Sequence, residues 1–154
     1  MEANKTITDY NTMQYIVIKI GDEQYGIDIK YVETIVRMQK ITRVPKVQSY
    51  FKGVINLRGE VVPVMSLRLK MNLDPDVITG KTRVIMIKLE ANAPIGIIVD
   101  EVKEVVTLGE SSIESLSRVA KMETPSYING IGKSGGSLIS LLDLNMVISD
   151  KETV

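Results

Sequence analysis

The stretch GVINLRGEVVPVMSL, residues 53–67, places two apolar runs around a short polar break. The break N-L-R-G contains the glycine that a tight hairpin turn favours, so antiparallel strands are predicted over 53–57 and 61–67. Pro63 lacks an amide donor, which predicts a sheet edge or a bulge at that point. The permanently charged Arg58 cannot serve the core of either strand, so it faces water or a partner.

A second stretch farther along the chain repeats this pattern. GIGKSGGSLISLLDL, residues 130–144, aligns with 53–67 without a gap, and eight of the fifteen positions agree as glycine, leucine or apolar pairs. Chance agreement between apolar positions would give roughly three. The chain therefore contains two copies of a unit of about 60 residues. The first turn holds N-L-R-G and the second K-S-G-G, a difference expected if only the first touches a partner.

Each unit opens with a predicted hairpin and continues into a predicted short helix. The hairpin runs are 15–20 with 25–29, and 82–89 with 95–99, each pair flanking a turn-forming break. Apolar residues then recur at i, i+3 and i+4, the spacing of one helix face. These residues are Val32, Ile35 and Val36 within 30–38, and Val102, Val105 and Val106 within 100–106.

Short strands at close spacing with glycine turns are typical of small closed barrels. We predict an all-β fold within a single domain over 1–150, with one barrel over about 14–69, on which the C-terminal tail packs, and one over about 80–148. Barrels this small are marginal alone, so they should pack on each other. The two apolar faces of 15–20 support this contact. The polar tract 70–80 is the predicted seam.

Composition excludes several functions. Basic and acidic residues balance at 19 each, which predicts no general attraction to nucleic acid or to an anionic membrane. Histidine and cysteine are absent, which removes the imidazole base, the thiol nucleophile and the commonest metal ligands. The glycines lack the Walker spacing, and adjacent carboxylates point to opposite strand faces. We expect no catalytic residue, no cofactor and no metal site.

The N-terminal residues 1–14 are polar and lack the apolar segment of a secretory signal. No apolar run approaches the about 20 residues that span a bilayer. The sequence therefore predicts a soluble cytoplasmic protein without direct membrane insertion.

Three segments, at 21–29, 43–71 and 95–106, resemble the CheW family of chemotaxis coupling proteins. The specific signature is G-V-x-N-L-R-G followed by V-x-P-V-x-x-L-R, which is shared with the regulatory domain of the histidine kinase CheA and with CheV-type proteins. The resemblance covers roughly 14–148. It implies two SH3-like five-stranded β-barrels packed together, with short helices.

The resemblance also implies a function and partners. Such proteins are non-enzymatic adaptors that join the cytoplasmic tips of chemoreceptors to CheA, so that receptor state controls the kinase. They are cytoplasmic proteins recruited to membrane receptor arrays. Kinase contacts in the family use apolar residues of the barrel surface, and the strands with two apolar faces suggest Ile16 and Ile29 for this role. By motif, Thr34 stands where well-known members carry an acid. The implied receptor-binding residues are Val32, Gly53, Arg58, Thr34 and Asn56.

Three alternatives remain open on the sequence. The same scaffold could serve a chemosensory pathway that controls something other than the flagellar motor. A small-barrel nucleic-acid-binding protein is disfavoured by the balanced charge and the single phenylalanine. A hydrolase that uses serine or carboxylates is disfavoured by the lack of histidine and of a G-x-S-x-G motif.

Overall fold

The computed structural model describes residues 11–90, 92–115 and 127–149. Over these ranges the chain is built mainly of strands joined by short turns. The strands are β1 (Thr12–Ile20), β2 (Glu23–Asp28), β3 (Val32–Arg37), β4 (Phe51–Leu57), β5 (Glu60–Ser66), β6 (Arg83–Ile87), β7 (Ile95–Val99), β8 (Glu101–Gly109), β9 (Ile113–Ser115), β10 (Ile128–Ser134) and β11 (Ser137–Leu142). Helical turns are α1 (Leu67–Lys70), α2 (Leu144–Ile148) and the 3₁₀ segments Ile29–Tyr31 and Glu110–Ser112. The predicted all-β class with short helices is confirmed.

The strands form two sheets, and each sheet takes strands from both halves of the chain. Sheet A has the order β8-β1-β2-β11-β10-β9, and sheet B has the order β3-β6-β7-β5-β4. Parallel pairing of β2 with β11, and of β7 with β5, places each half's opening hairpin in the other half's sheet. The segments 14–69 and 80–148 therefore do not coincide with the two sheets, because each segment contributes strands to both.

The side chains of β1 alternate between the interior of sheet A and a layer shared by the two sheets. Tyr15 and Val17 pack inside sheet A, whereas Ile16, Ile18 and Ile20 pack in the shared layer. Because β1 is apolar on both faces, it contributes to two cores at once. The predicted packing of the outer apolar face on the neighbouring barrel is confirmed. The shared layer joins Ile16, Ile18, Ile20 and Ile27 to Met65, Leu67, Ile85, Ile87, Ile97 and Val99, and sheet B encloses Ile55, Val62, Val64, Val84, Met86 and Ile98.

The two repeated hairpins have the same turn. Arg58 and Gly59 have φ angles of 53° and 84°, and Gly135 and Gly136 have φ angles of 55° and 84°. Positive φ at both central residues is the signature of a type I′ turn, whose twist matches that of the flanking strands. The central residues of the first turn are Arg58 and Gly59, whereas the centre of the N-L-R-G break is Leu57 and Arg58.

The residues after each repeated hairpin also correspond. The Ser66 side chain accepts a hydrogen bond from the Leu69 amide at the start of α1. Asp143, 77 positions later (143 − 66), accepts one from the Met146 amide at the start of α2. Both side chains therefore cap a helical turn in the same way. The duplication extends from the strands through the caps.

The segments predicted as amphipathic helices are strands β3 and β8. A bulge between Val32 and Thr34 shifts the alternation of β3 by one residue. As a result Val32 and Ile35 both face the shared layer, while Val36 faces the interior of sheet B. The i, i+3 spacing that indicates a helix arises here from a bulged strand.

The loop over 70–80 does not separate the two sheets, because it connects β5 and α1 to β6 within sheet B. Its Asp76 carboxylate accepts a hydrogen bond from the Ser66 hydroxyl, which fixes the loop to the start of α1. The C-terminal segment packs nearby, since Lys70 Nζ donates to the Ser149 carbonyl at 2.5 Å. The tract 70–80 thus lies between the two copies in sequence, after α1 and before β6, without being a boundary between the two sheets.

Of the two alternatives that Pro63 leaves open, a sheet edge or a bulge, the edge is wrong, because β5 is an inner strand of sheet B. This strand has β4 on one side and β7 on the other. Pairing with β7 begins at Val64, so the missing amide of Pro63 lies outside that ladder. The register shift occurs in the facing strand β4, between Phe51 and Gly53.

Candidate protein-binding site

The turn between β4 and β5 presents Arg58 to solvent. The side chain is exposed, and within the described residues it forms no hydrogen bond or ion pair, including none with Glu60. Its φ of 53° is in the left-handed region, which costs a non-glycine residue roughly 1 kcal/mol. The guanidinium therefore sits on a strained but regular turn, and its five donors are available to a partner.

The side chain of Asn56 stabilises this turn through a local hydrogen bond. Its side-chain oxygen accepts a hydrogen bond from the Gly59 amide at 3.1 Å, which is the local bond that asparagine commonly makes in turns. The corresponding residue of the second hairpin is Lys133, beside two turn glycines. Asn56 is exposed, so it both fixes the turn and adds polar surface next to Arg58.

Gly53 is buried and has a structural role. A Cβ atom at this position would lie 2.1 Å from the Thr42 carbonyl oxygen, and the backbone φ is 139°. Thr42 and Val54 exchange two backbone hydrogen bonds of 2.8 Å, which join the segment after β3 to β4. Gly53 therefore allows sheet B to close between its two outer strands. It shapes the surface but has no side chain to contact a partner.

Val32 and Thr34 lie on β3, the outer strand of sheet B that faces β4 across this closure. Both are half-buried, and they pair with Ile87 and Met86 of β6. The structure therefore places these two residues on the same sheet as Gly53 and Asn56, although on a different strand. The fraction of each side chain that remains exposed is available to a partner.

The two residues implied as kinase contacts differ in exposure. Ile16 is 4% exposed and packs in the layer between the sheets, so its side chain cannot meet a partner in this structure. The two-faced pattern of β1 indicates a second core, not an exposed patch. Ile29 is half-buried and lines a shallow groove with Met13 and Thr107. Only Ile29 keeps an accessible surface.

Asp100 joins the two sheets through a compact polar cluster. Its carboxylate receives hydrogen bonds from Arg68 Nε and Nη2 at 2.9 and 2.6 Å, and from the Gly21 amide at 2.7 Å. The hydrogen bond from Arg68 is the main reason that the pKa of Asp100 is lowered, with the Gly21 amide adding to it against the effect of burial. The same bond raises the pKa of Arg68. This is a structural cluster that holds the β1–β2 turn to α1 and β7.

Two other features bear on function. Within 11–90, 92–115 and 127–149, no three acidic side chains lie close enough to hold a metal ion. No helix of these ranges is both long and apolar enough to cross a membrane.

Comparison with known proteins shows the family of this chain. The model of the CheW-like domain family matches residues 14–152, which is most of the sequence. The chain belongs to the CheW family. It is 41% identical over 138 residues to the chemotaxis protein CheW of Bacillus subtilis, covering 90% of this chain and 87% of that protein. It is 30% identical over 139 residues to CheW of Klebsiella aerogenes, covering 90% and 83%.

The solved structures include a CheW with the same fold. The scaffolding protein TtCheW from Thermoanaerobacter tengcongensis superposes with a TM-score of 0.80 at 29% identity, covering 90% of this chain and 94% of that one. The expected SH3-like barrel architecture of a CheW protein is thus confirmed. The chain is a chemotaxis scaffold protein of the CheW family.

Sequence reasoning missed one feature of this CheW chain, which is a concentration of positive charge. Residues 37–59 contain six basic and no acidic residues, so the rest of the chain holds 13 basic (19 − 6) and 19 acidic residues. The balanced total therefore conceals a local charge of +6. A count in a sliding window would have found it. The basic residues are Arg37, Lys40, Arg43, Lys46, Lys52 and Arg58.

Proposed function

We propose that this chain is a non-enzymatic adaptor that couples chemoreceptors to the histidine kinase CheA. The cytoplasmic tip of the receptor binds at the Arg58 turn, and the regulatory domain of the kinase binds at a separate surface. The observation that carries this proposal is Arg58 itself, which is exposed, unpaired within the described residues and held at φ 53°.

The comparison of the two repeated turns supports a role in binding. Gly135 occupies the position of Arg58 in the second hairpin and adopts nearly the same φ without strain. An arginine at this position does not improve the turn. Strained residues that nothing local requires cluster at binding sites. Arginine is also common among residues that dominate binding energy, because its planar fork can bind carboxylates or backbone carbonyls.

The other implied receptor-binding residues support this contact in different ways. Asn56 fixes the turn through the Gly59 amide, so the guanidinium is displayed from a rigid base. Gly53 lets the segment around Thr42 approach β4. Val32 and Thr34 add half-exposed surface on β3. In this proposal Arg58 makes the direct contact, and the other four residues determine its surroundings.

The kinase-binding surface is proposed around Ile29. This residue and Met13, which is 43% exposed, line a groove beside the 3₁₀ segment that follows β2. The groove belongs to sheet A, whereas the Arg58 turn belongs to sheet B. Two partners can therefore be held by different sheets of one molecule. Such a molecule acts in the cytoplasm and is recruited to receptor arrays by its partners.

The proposal is tested by Arg58→Glu. We expect the affinity for a purified receptor cytoplasmic fragment, measured by calorimetry, to fall tenfold or more, because a favourable cation becomes a repulsive anion. The melting temperature should stay within about 2 °C of the original, since the side chain is exposed. Lys133→Glu, on the strand before the repeated turn, is the matched control and should leave receptor binding unchanged.

A second measurement separates the two surfaces. Arg58→Glu should retain binding to the CheA regulatory domain, whereas Ile29→Ser should weaken binding to that domain and retain receptor binding. Unchanged receptor affinity in Arg58→Glu would show that Arg58 is an ordinary solvated charge. Unfolding of that variant would show a structural role instead.

A further inference from the structure

An open groove lies beside the closure of sheet B. It has a volume of about 640 Å³ and is formed by the segment 41–52. A smaller apolar recess continues from it along β4 and β5, and reaches Val54 and Pro63. Val44 and Val47 line both and are 40% and 43% exposed, so the surface that they form is apolar and accessible.

The charged residues that line this apolar surface are all basic. Arg43, Lys46 and Lys52 line the groove, and none of its lining residues is acidic. All three are exposed and form no ion pair with any other described residue. They belong to the tract 37–59, which has six basic and no acidic residues. The second unit shows no such excess, since the stretch of equal length that ends at its turn, 114–136, has three basic and two acidic residues.

The backbone at Lys46 gives a second, independent indication. Lys46 follows Pro45 in a turn and has a φ of 63°, in the left-handed region where glycine is usual. A lysine at this position costs free energy within the isolated chain. Like Arg58, it is an exposed cation on a strained turn, and nothing in the described residues offsets the strain.

We propose that this groove binds an acidic segment of a partner protein, with apolar side chains of the segment seated against Val44, Val47 and Phe51. A groove with an apolar floor and basic residues along its edge is complementary to such a segment in both shape and charge. The proposal stands on the groove alone, and it does not require Arg58 to contact the receptor.

Other kinds of partner fit the groove less well. A lipid surface needs protruding apolar groups, whereas these lie in a concave recess. A single nucleic-acid strand is usually held by several aromatic side chains that stack on its bases, and Phe51 is the one aromatic residue in the lining. A second copy could offer the loop with Asp74 and Asp76, but Asp76 is already hydrogen-bonded to Ser66. An acidic protein segment is the occupant that the observations favour.

The test uses a fluorescein-labelled peptide of about 16 residues, in which leucine recurs at i, i+3 and i+4 and glutamate fills the other positions. Control peptides replace every glutamate by lysine, or every leucine by serine. We expect the full-length protein to bind only the acidic amphipathic peptide, with amide shifts in the NMR spectrum centred on 41–54. The double variant Lys46→Glu with Lys52→Glu, and separately Val47→Ser, should weaken binding tenfold or more.

Matched variants on sheet A provide the control. Lys103 and Val105 are exposed on β8, and Lys103→Glu and Val105→Ser should change peptide binding less than twofold. The proposal is overturned if these variants weaken binding as much as those in the groove, or if the lysine peptide binds equally well. It is also overturned if the peptide is inert and the groove variants instead abolish binding to phosphatidylserine vesicles, to duplex DNA or to a second copy in sedimentation.

The outcome is distinguishable from that of the receptor test. Arg58→Glu should leave peptide binding within about threefold, because Arg58 lies outside the groove lining. If the peptide binds as expected while Arg58→Glu leaves receptor affinity unchanged, the groove is established and the proposed function fails at Arg58. If the receptor result holds and the peptide is inert, only the groove proposal fails.

Discussion

Arg58 and Gly135 occupy the same position of two repeated turns, with φ angles of 53° and 55°. Glycine adopts this conformation without steric cost, whereas arginine does so at a cost of roughly 1 kcal/mol. No contact within the described residues offsets the cost at Arg58. The first turn therefore carries a backbone cost at Arg58 that its repeat lacks at Gly135, although the Asn56 side chain stabilises the first turn through the Gly59 amide.

This difference predicts opposite effects of two substitutions. Arg58→Gly should raise the free energy of unfolding by up to about 1 kcal/mol and weaken receptor binding. Gly135→Arg should lower the free energy of unfolding by about 1 kcal/mol and leave receptor binding unchanged, since nothing lies within 4 Å of a Cβ there. Urea denaturation measures the first quantity and calorimetry the second. A destabilised Arg58→Gly would show that the arginine supports the turn.

Gly53 provides a second prediction at the scale of one residue. Gly53→Ala should lower the free energy of unfolding by about 3 kcal/mol, because its Cβ would lie 2.1 Å from the Thr42 carbonyl and backbone atoms would have to move. Gly80→Ala is the control, since a Cβ there meets nothing within 4 Å. It should change stability by less than about 0.5 kcal/mol. Equal effects at both sites in urea denaturation would refute the closure role of Gly53.

Among the elements, the Asp100 cluster fixes the β1–β2 turn of sheet A to α1 and β7. Asp100→Asn removes a two-pronged charged contact and should lower the free energy of unfolding by about 2 kcal/mol at neutral pH. The matched control is Asp22→Asn, an exposed neighbour of Gly21, with an expected effect below about 0.5 kcal/mol.

The contribution of Asp100 to the free energy of unfolding should decrease as the pH falls. Its pKa is lower in the folded state than in the unfolded state, where it is near 4. Its contribution is therefore complete above about pH 4 and is lost as the pH falls through the lowered folded-state pKa. The difference in stability between the original protein and Asp100→Asn should shrink in acid denaturation series. A constant difference down to about pH 2 would contradict the assignment.

The sequence predicted those elements whose structure is set locally. The repeated hairpins follow from strand-forming runs around short breaks that contain glycine, and both were predicted within a few residues. Strand β3 was predicted as a helix, because the bulge after Val32 produces a helical spacing in a strand. That bulge depends on pairing with β6, which local pattern cannot reveal. Ile16 was misplaced for a related reason, since only the assembled fold shows which apolar face is covered.

The candidate site was predictable only in part. Arg58 stands out because a charged residue interrupts an apolar hairpin, and the family signature marks the same place. The role of Gly53 requires the position of Thr42, eleven residues away in the chain (53 − 42), and that position is known only from the fold. The groove along 41–52 was overlooked because a balanced total charge conceals a local excess.

At the scale of the whole molecule, the two sheets are interleaved along the chain. The β1–β2 hairpin pairs with β8 and β11 in sheet A, and the β6–β7 hairpin pairs with β3 and β5 in sheet B. Their outer faces meet in one shared apolar layer. Covalent connections as well as apolar packing therefore join the two sheets.

This interleaving predicts that neither half folds alone. A fragment of residues 1–79 keeps the hairpins β1–β2 and β4–β5 but loses every partner strand from the second half. Isolated two-stranded hairpins are marginal in water, so this fragment and its complement 80–154 should each lack a cooperative thermal transition by circular dichroism. Mixed in equal amounts, they should form a one-to-one complex with the spectrum of the intact protein.

Intact protein cleaved once between 79 and 80 is the control and should stay folded, because that bond lies in an exposed loop. A cooperative transition in the isolated 1–79 fragment would mean that contiguous barrels fold independently, which the strand order of both sheets contradicts.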